Sequence, residues 1–326
     1  PLKSGGSDSE FAPQAPSWVQ IGRHSLISPT AMTAPIAPTP TVLKDIAVLF
    51  KLRLGTFVVL SAVLGWFMGS DSIGLVSFLE LTLGGYLLTG ASNGFNQVLE
   101  KEADSKMART MNRPLPSGRM SVQTAVIWSS VAAILGLSAL FDLGFRAGLL
   151  GLLALTSYVL AYTPLKSKTG FSVLVGAIPG AIPPMLGYVA ATHRFGLEPG
   201  TLFAVQFMWQ FPHFWAIAWV LHEDYLKAGY RMLPFRDGRS AASARQILIY
   251  TMLCIPASLL PWALPGSAPM VGNVAFAIAV LAGLGFLIPA IRLWRSLDIK
   301  DARRLMFASF LYLPIVQLTY VLDKTP

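Results

Sequence analysis

The sequence predicts an all-α polytopic membrane protein, with about nine transmembrane helices in a bundle around a central cavity. Hydrophobic residues make up 54% of the chain and charged residues only 13%, whereas an ordinary soluble domain carries about 25% charge. Apolar runs close to the ~20 residues needed to span a bilayer recur along the chain. Lys and Arg collect in every second loop between these runs, which is typical of membrane proteins.

The chain divides into a tail and one membrane domain. Residues 1–43 are rich in Pro, Ser, Ala and Gly and lack a helical pattern, so we expect a flexible tail before a membrane domain over 44–326. The only cysteine, Cys254, excludes an internal disulfide and a cysteine-based zinc site. Nine apolar segments fill the membrane domain: 54–69, 75–99, 122–141, 147–162, 171–191, 202–221, 247–264, 270–293 and 306–322.

Loop charge predicts the orientation of the bundle. Basic residues cluster after the second, fourth, sixth and eighth segments, whereas the opposite side carries only Arg146, Arg194 and Lys324. Because short cytoplasmic loops are enriched in Lys and Arg, we expect these loops and the N-terminus to be cytoplasmic. The net charge of +9 then follows from topology, and no nucleic-acid partner is expected.

The end of the second segment carries the strongest candidate site. Asn96, Glu100 and Asp104 are spaced four residues apart, so on a helix they drift by only about 80° and share one face. Their oxygens are ligands that Mg²⁺ prefers. Basic residues that can bind phosphate follow at Lys106, Arg109, Arg113 and Arg119. A solvated helix end with dipole-compensating charges is the alternative reading.

A second candidate group lies on the sixth segment and in the loop after it. His213 precedes Asp224 by eleven residues, about 16 Å along a helix, which places His213 deep in the membrane and Asp224 near its surface. Glu223 and Asp224 are candidates for a second Mg²⁺ site. His213 could contact a large polar substrate or a metal, or it could simply hydrogen-bond between helices.

Two further patterns point to the same side of the membrane. Tyr158, Tyr162 and Lys166 repeat the four-residue spacing, so Lys166 could bind phosphate or anchor the chain at the interface. The second and sixth segments both end in acids followed by bases, which indicates a weak repeat of two four-helix halves plus a ninth helix. The Pro- and Gly-rich fifth segment predicts a bend or close packing. Together these segments outline a polar mouth above an apolar interior.

These residues carry a resemblance to a known family. Asn96-x₃-Glu100-x₃-Asp104 resembles the first motif, Asn-x₃-Asp-x₃-Asp, of the membrane prenyltransferases related to 4-hydroxybenzoate polyprenyltransferase. The chain is most similar to the protoheme IX farnesyltransferases of that superfamily over residues 44–322. The segments that carry this likeness are ARTMNRPLPSGR, YTPLK, VGAIPGAIPPMLGY, WQFPHFWAIAW and HEDYLKAGYRMLP.

The resemblance implies an Mg²⁺-dependent enzyme that transfers a farnesyl group from farnesyl diphosphate to a vinyl group of heme B, with addition of water, giving heme O. It implies catalytic and metal-binding roles for Asn96, Glu100, Asp104 and Asp224. The substrate-binding residues would be Lys106, Arg109, Arg113, Arg119, Tyr162, Lys166, His213 and Glu223. Besides its substrates and the lipid bilayer, the enzyme would have a heme A synthase or a terminal oxidase assembly as partners.

Two other functions compete with this one. A quinone- or chlorophyll-type prenyltransferase of the same superfamily would use a different acceptor. A secondary transporter would also explain broken helices and an internal repeat, although its charges should lie near the membrane midplane. The absence of a clear transit peptide favours the inner (plasma) membrane of a cell over the mitochondrial inner membrane.

Overall fold

The computed structural model describes residues 42–264 and 268–325 of the chain. The predicted flexible tail lies outside the described residues as far as residue 41. The described residues form helices and no named β-strand. The helices are α1 (Val42–Leu49), α2 (Leu52–Gly69), α3 (Leu75–Leu99), α4 (Lys101–Ser105), α5 (Val122–Leu143), α6 (Phe145–Thr156), α7 (Thr163–Leu165), α8 (Ser172–Thr192), α9 (Leu197–Val220), α10 (His222–Lys227), α11 (Ala241–Leu259), α12 (Asn273–Ser296) and α13 (Ile299–Leu322), and a π-helical segment (Ser157–Tyr162) joins α6 to α7.

The predicted all-α membrane bundle is confirmed. With α6, the π segment and α7 taken as one helix, the described residues contain nine long helices. Seven of these are long and apolar enough to cross a membrane, while α9 and α11 are comparably long but less apolar. Large apolar side chains such as Leu160, Leu281 and Leu311 are exposed on the outside of the bundle, as expected for a lipid-facing surface.

The bundle consists of two similarly connected halves and a final helix. Helices α2, α3, α5 and α6 pack in succession, as do α8, α9, α11 and α12, and α2 packs against α8. Helix α13 packs against α9, α12 and α2. In each half the second helix is broken at one residue, Glu100 or Leu221, with nearly equal backbone angles of φ −99° and −98°. A short helix follows each break, which agrees with the predicted repeat.

The fifth predicted segment forms α8, a continuous helix that contains three prolines. Its backbone lies against that of α2, because a Cβ added at Gly187 would overlap the carbonyl oxygen of Ala62. A Cβ added at Gly65 would likewise overlap the carbonyl oxygen of Pro184. Small residues allow such close approach between membrane helices. The glycines therefore serve close packing, one of the two predicted outcomes.

Two helices begin at least six residues earlier than the apolar segments predicted. Helix α11 starts at Ala241, six residues before its predicted segment, because the Ser240 hydroxyl accepts a hydrogen bond from the Ser243 backbone N–H at 3.2 Å. Helix α13 starts at Ile299, seven residues early, because Asp298 accepts from the Lys300 N–H at 2.7 Å. Such caps satisfy N–H groups that the first turn leaves free. Hydropathy overlooks these turns because they are polar.

One end of the bundle collects the segments that carry the candidate site. Helices α3, α7 and α9 end there, whereas α2, α8 and α13 begin there. We call this end the polar end. At the opposite end Lys324 pairs with Asp71 at 2.5 Å and ties the end of the described chain to the loop after α2.

Candidate active site

The three predicted oxygen donors on α3 and α4 point into the protein. Asn96 is in the last turn of α3, Glu100 is the residue at the break, and Asp104 is in α4. The break preserves their helical spacing, since the Asp104 N–H donates to the Glu100 carbonyl oxygen at 2.7 Å. Asn96 and Asp104 are each 1% exposed and Glu100 is 7% exposed. They do not form a solvated helix end.

Glu100 is paired with a lysine from the other side of the polar end. Lys166 Nζ lies 2.9 Å from Glu100 Oε1 and donates a hydrogen bond to Oε2 at 3.2 Å. The same ammonium lies 4.7 Å from the centre of the Tyr162 ring, a cation–π distance. Burial alone would lower the pKa of Lys166, but the charge and the hydrogen bond of Glu100, together with Tyr158 and Tyr225, raise this pKa overall, so the ammonium stays charged.

Asp104 holds the loop between α4 and α5, residues 106–121, which we call the basic loop. Arg113 Nη1 donates to Asp104 Oδ2 at 2.6 Å, and the Thr110 hydroxyl donates to the Asp104 backbone carbonyl at 2.8 Å. The Arg113 side chain remains 19% exposed. The guanidinium therefore forms a buried ion pair on one side and remains reachable by a ligand on the other.

The π-helical segment places two tyrosine rings beside these charged and polar groups. We call the set the charged cluster, and its members are Asn96, Glu100, Asp104, Arg113 and Lys166. It contains hydrogen bonds that reach back five residues, and both the N–H and the hydroxyl of Thr163 donate to the Tyr158 carbonyl, the hydroxyl at 2.9 Å. The Thr163 hydroxyl in turn accepts from Asn96 Nδ2 at 3.1 Å. The Tyr158 and Tyr162 rings of this segment lie 5.2 Å apart. Such π-bulges are frequent at functional sites, and hydropathy gave no signal for this one.

The other predicted basic residues are placed differently. Arg119 Nη2 pairs with Asp45 on α1 at 3.0 Å and also donates to the Asn112 carbonyl oxygen, so it ties the basic loop to α1. Arg109 is exposed and lies 5.8 Å from the centre of the Tyr225 ring. Lys106 is exposed at the start of the loop. The basic loop thus covers the polar end.

The acids of the second half have local partners. Asp224 lies 3.6 Å from Lys227 on the same short helix, and the largely exposed Glu223 pairs with Arg239 at 3.2 Å. Within the described ranges, no three His, Cys, Asp or Glu side chains are grouped closely enough to hold a metal ion. The predicted role of Asp224 as a ligand beside Asn96, Glu100 and Asp104 stays a prediction.

Tyrosines, rather than acids, extend the second half towards Glu100. Counted from the two helix breaks, Tyr225 occupies the position that corresponds to Asp104. Tyr230 is 5% exposed, and burial followed by the negative charge of Glu100 raises the pKa of its hydroxyl above the ordinary value. Tyr230 is therefore a neutral hydrogen-bond donor beside the carboxylate. Sequence reasoning overlooked it because a tyrosine in a loop carries no specific signal.

Lys51 is a further basic residue of this cluster that the sequence did not indicate. It links α1 to α2 in the left-handed conformation, φ 48° and ψ 53°, which is uncommon for a residue with a side chain. Gln97 holds the preceding turn by donating to the Leu49 carbonyl at 2.6 Å. Burial and the nearby charges of Arg113 and Lys166 lower the pKa of Lys51 to about 7. An anion bound among these three cations would relieve their repulsion.

His213 lies deeper, between α9 and α13. Its Nδ1 is 2.8 Å from Ser309 Oγ, and its ring stacks on Trp209 with centroids 4.3 Å apart. It is 8% exposed. The structure therefore separates two groups of candidate residues, the charged cluster at the polar end and the His213 imidazole inside the bundle.

The charged cluster fits a hydrated divalent cation bound with an anion. Glu100 Oε1 receives no hydrogen bond of good geometry from the described residues although Lys166 is close, so this oxygen has a lone pair to spare. Amide and carboxylate oxygens are hard ligands, and Mg²⁺ usually binds one or two carboxylates together with phosphate oxygens and water. Asn96, Glu100 and Asp104 match that chemistry.

Known proteins share both the sequence and the fold. A family model described as the UbiA prenyltransferase family matches residues 54–313. Protoheme IX farnesyltransferase of Christiangramia forsetii is 47% identical over 287 residues, which cover 88% of this chain and 95% of that protein. The protein of the same name from Flavobacterium psychrophilum is 44% identical over 292 residues, which cover 89% and 97% of the two chains.

Solved structures resemble the bundle at low sequence identity. A structure of digeranylgeranylglyceryl phosphate synthase superposes with a TM-score of 0.71 at 18% identity, covering 86% of this chain and 98% of that one. A UbiA homologue from Archaeoglobus fulgidus bound to GPP and Mg²⁺ gives a TM-score of 0.64 at 14% identity, covering 85% and 99%. The family model matches most of the membrane domain, so the chain belongs to the UbiA prenyltransferase family.

Proposed function

We propose that this protein transfers a farnesyl group from farnesyl diphosphate to a vinyl group of heme B, with addition of water, to form heme O and diphosphate. The observation that carries the proposal is similarity at 47% identity along 95% of a protein named protoheme IX farnesyltransferase. The buried charged cluster at the polar end supports it, because it suits a diphosphate bound at the mouth of an apolar bundle.

The cations of the cluster would bind and stabilise the departing diphosphate. Lys166 and Arg113 are held by carboxylates at 2.9 Å and 2.6 Å, so their positions are fixed before a substrate arrives. Charges arranged in advance around a developing anion are among the largest contributions to catalysis. Lys51, Lys106, Arg109 and Arg119 would add positive charge, Arg119 mainly by holding the basic loop against α1.

Asn96, Glu100 and Asp104 would hold Mg²⁺ at this cluster, with Asp224 as a ligand from the second half. The ion pair of Asp224 with Lys227 is long at 3.6 Å, and such a partly exposed pair contributes little stability, so Asp224 is free to exchange partners. Glu223 would assist substrate binding from the same short helix. When bound, Mg²⁺ supplies a Lewis acid that neutralises charge on the diphosphate.

The reaction would proceed in the apolar interior below the cluster. The bond between C1 of the farnesyl group and the diphosphate oxygen breaks, and the vinyl group donates its electron pair to form the new carbon–carbon bond. Water then adds to the cation on the other vinyl carbon and releases a proton. Tyr162, 5% exposed beneath Lys166, would shield the allylic cation from bulk water. His213 would position the heme.

The basic loops at the polar end support a cytoplasmic orientation for that end and for the N-terminus. We place the chain in the inner (plasma) membrane, where heme O would pass to a heme A synthase or to a terminal oxidase assembly. Residues 44–326 would form the membrane prenyltransferase domain.

The test is a reconstitution with competing acceptors. The purified full chain in lipid nanodiscs is incubated with farnesyl diphosphate, Mg²⁺ and either heme B or 4-hydroxybenzoate, and products are identified by mass spectrometry. We expect heme O from heme B and no product from the quinone precursor. A prenylated quinone precursor with unchanged heme B would contradict the proposal and would favour the quinone-type alternative.

A further inference from the structure

One residue of α13 organises the surroundings of His213. Ser309 Oγ lies 2.8 Å from His213 Nδ1, and the backbone carbonyl of Ser309 accepts a hydrogen bond from Trp209 Nε1 at 2.9 Å. Trp209 in turn stacks on His213, with an interplanar angle of 17°. Ser309 is completely buried. A single residue thus fixes both the position of the imidazole and the ring that supports it.

The hydroxyl of Ser309 also has a second partner, which determines where its proton points. Ser309 Oγ lies 2.6 Å from the Met306 carbonyl oxygen, and a carbonyl can only accept a hydrogen bond. The single hydroxyl proton is therefore directed at Met306. Ser309 presents an oxygen lone pair to His213, so Nδ1 must carry the imidazole proton.

This assignment leaves His213 Nε2 with a free lone pair. Among residues 42–264 and 268–325, none forms a hydrogen bond with Nε2. The opposite tautomer would place an N–H donor at Nε2 without an acceptor in the same part of the chain, which is unfavourable in a protein interior. A histidine whose Nδ1–H is held by an oxygen acceptor, with Nε2 free, has the arrangement of a metal-binding imidazole.

The surroundings suit a flat aromatic ligand. Besides Trp209, Phe310 lies edge-on to the His213 ring at 5.1 Å and Phe214 lies at 5.7 Å. His213 is seven residues before the end of α9, about 10 Å inside the polar end. A ligand on Nε2 would thus lie in the apolar part of the bundle, below the charged cluster.

We propose that Ser309 is a positioning residue that holds His213 as the Nδ1–H tautomer, so that Nε2 can bind the iron of the heme substrate. The proposal rests on the proposed function, because heme is the acceptor there. Loss of a hydrogen bond to a metal-bound histidine typically lowers metal affinity by about 10- to 100-fold. A neutral serine acceptor corresponds to the lower end of that range.

The experiment titrates ferrous heme B into the purified full chain in nanodiscs and records the iron–histidine stretching band by resonance Raman spectroscopy. The wild type should show this band, and H213A should lack it. S309A should keep the band at lower frequency, because Nδ1–H loses its acceptor, and its Kd and KM for heme should rise about 10-fold while the KM for farnesyl diphosphate stays unchanged. S309C, with a weak sulfur acceptor, should have a band frequency and a heme affinity between those of the wild type and S309A.

T319V is the matched control, since the Thr319 hydroxyl is also on α13 but bonds only to the Ile315 carbonyl at 2.8 Å. It should behave as the wild type. Binding of farnesyl diphosphate reports that each variant is folded. If H213A keeps the wild-type band, His213 is not the iron ligand and the positioning role is wrong. If S309A forms heme O with an unchanged band and unchanged heme affinity, the positioning role is also wrong, while the proposed farnesyl transfer is supported. If the wild type neither binds nor converts heme B, the proposed function itself is wrong.

Discussion

Neutralising the Glu100–Lys166 pair should separate its contribution to stability from its contribution to catalysis. Both side chains are largely buried, 8% and 14% exposed, with 2.9 Å between Oε1 and Nζ. Removing one partner of such a pair leaves an uncompensated buried charge, which costs about 3–5 kcal/mol. Because Lys166 keeps some exposure, we expect about 3 kcal/mol for E100Q.

The double variant E100Q/K166M should regain stability but not activity. Replacing both charges removes the uncompensated ion, so stability should return to within about 1 kcal/mol of the wild type. Activity should not return, because the diphosphate has lost both its ammonium partner and a carboxylate of the predicted Mg²⁺ site. We expect E100Q, K166M and the double variant each to lose at least about 100-fold in kcat/KM for farnesyl diphosphate.

Stability is measured by denaturant titration of the detergent-solubilised protein, and activity by heme O formation in nanodiscs. Two results would refute the reasoning. Wild-type stability in both single variants would show that the buried pair does not form. Activity recovered together with stability in the double variant would show that the pair is structural and has no role in the reaction.

Two further predictions concern Lys51 and the contact between α2 and α8. K51M should raise the KM for farnesyl diphosphate by about 10- to 100-fold, which is the effect of losing one charged hydrogen bond. R53M is the control, because Arg53 is close in sequence but exposed, and it should leave this KM unchanged. Equal KM values for the two variants would show that Lys51 does not belong to the site. G187A should destabilise the bundle by at least about 1–3 kcal/mol in denaturant titrations, because its Cβ would overlap a backbone carbonyl, whereas G285A, at a position with open space, should be neutral or stabilising. Equal stability of the two alanine variants would contradict the close helix contact.

The bundle itself could be predicted because membrane insertion depends on local composition. Apolar runs identify most helices directly, since a spanning helix must satisfy its backbone internally and present apolar side chains to lipid. The starts of α11 and α13 were misplaced because the prediction used apolar composition alone. Ser240 and Asp298 begin these helices by capping polar turns outside the apolar run, and hydropathy counts such turns as loops.

Part of the candidate site could also be predicted, because helical spacing is a local property. The common face of Asn96, Glu100 and Asp104 follows from their four-residue separation. That Lys166 would lie at the same end of the bundle followed from counting helices. Its contact with Glu100, 66 residues earlier, depends on how the helices pack, which helical spacing alone does not determine.

The remaining parts depend on contacts that no local pattern encodes. Lys51 reaches the cluster through a left-handed turn fixed by Gln97, and Ser309 meets His213 from 96 residues away. The likeness of the two halves was visible in the acids after each second helix. The partner of Glu223 was not visible, because Arg239 lies 16 residues further along the chain.

The most direct test of the account follows the oxygen that enters the product. The purified chain is incubated with farnesyl diphosphate, Mg²⁺ and heme B in heavy-oxygen water, and the porphyrin product is analysed by high-resolution mass spectrometry. We predict a product heavier than heme B by one farnesyl group and one hydroxyl, with the heavy oxygen in that hydroxyl. The D104N variant should not form this product. Unchanged heme B, or full product formation in D104N, would contradict the central claim that this charged cluster drives farnesyl transfer to heme.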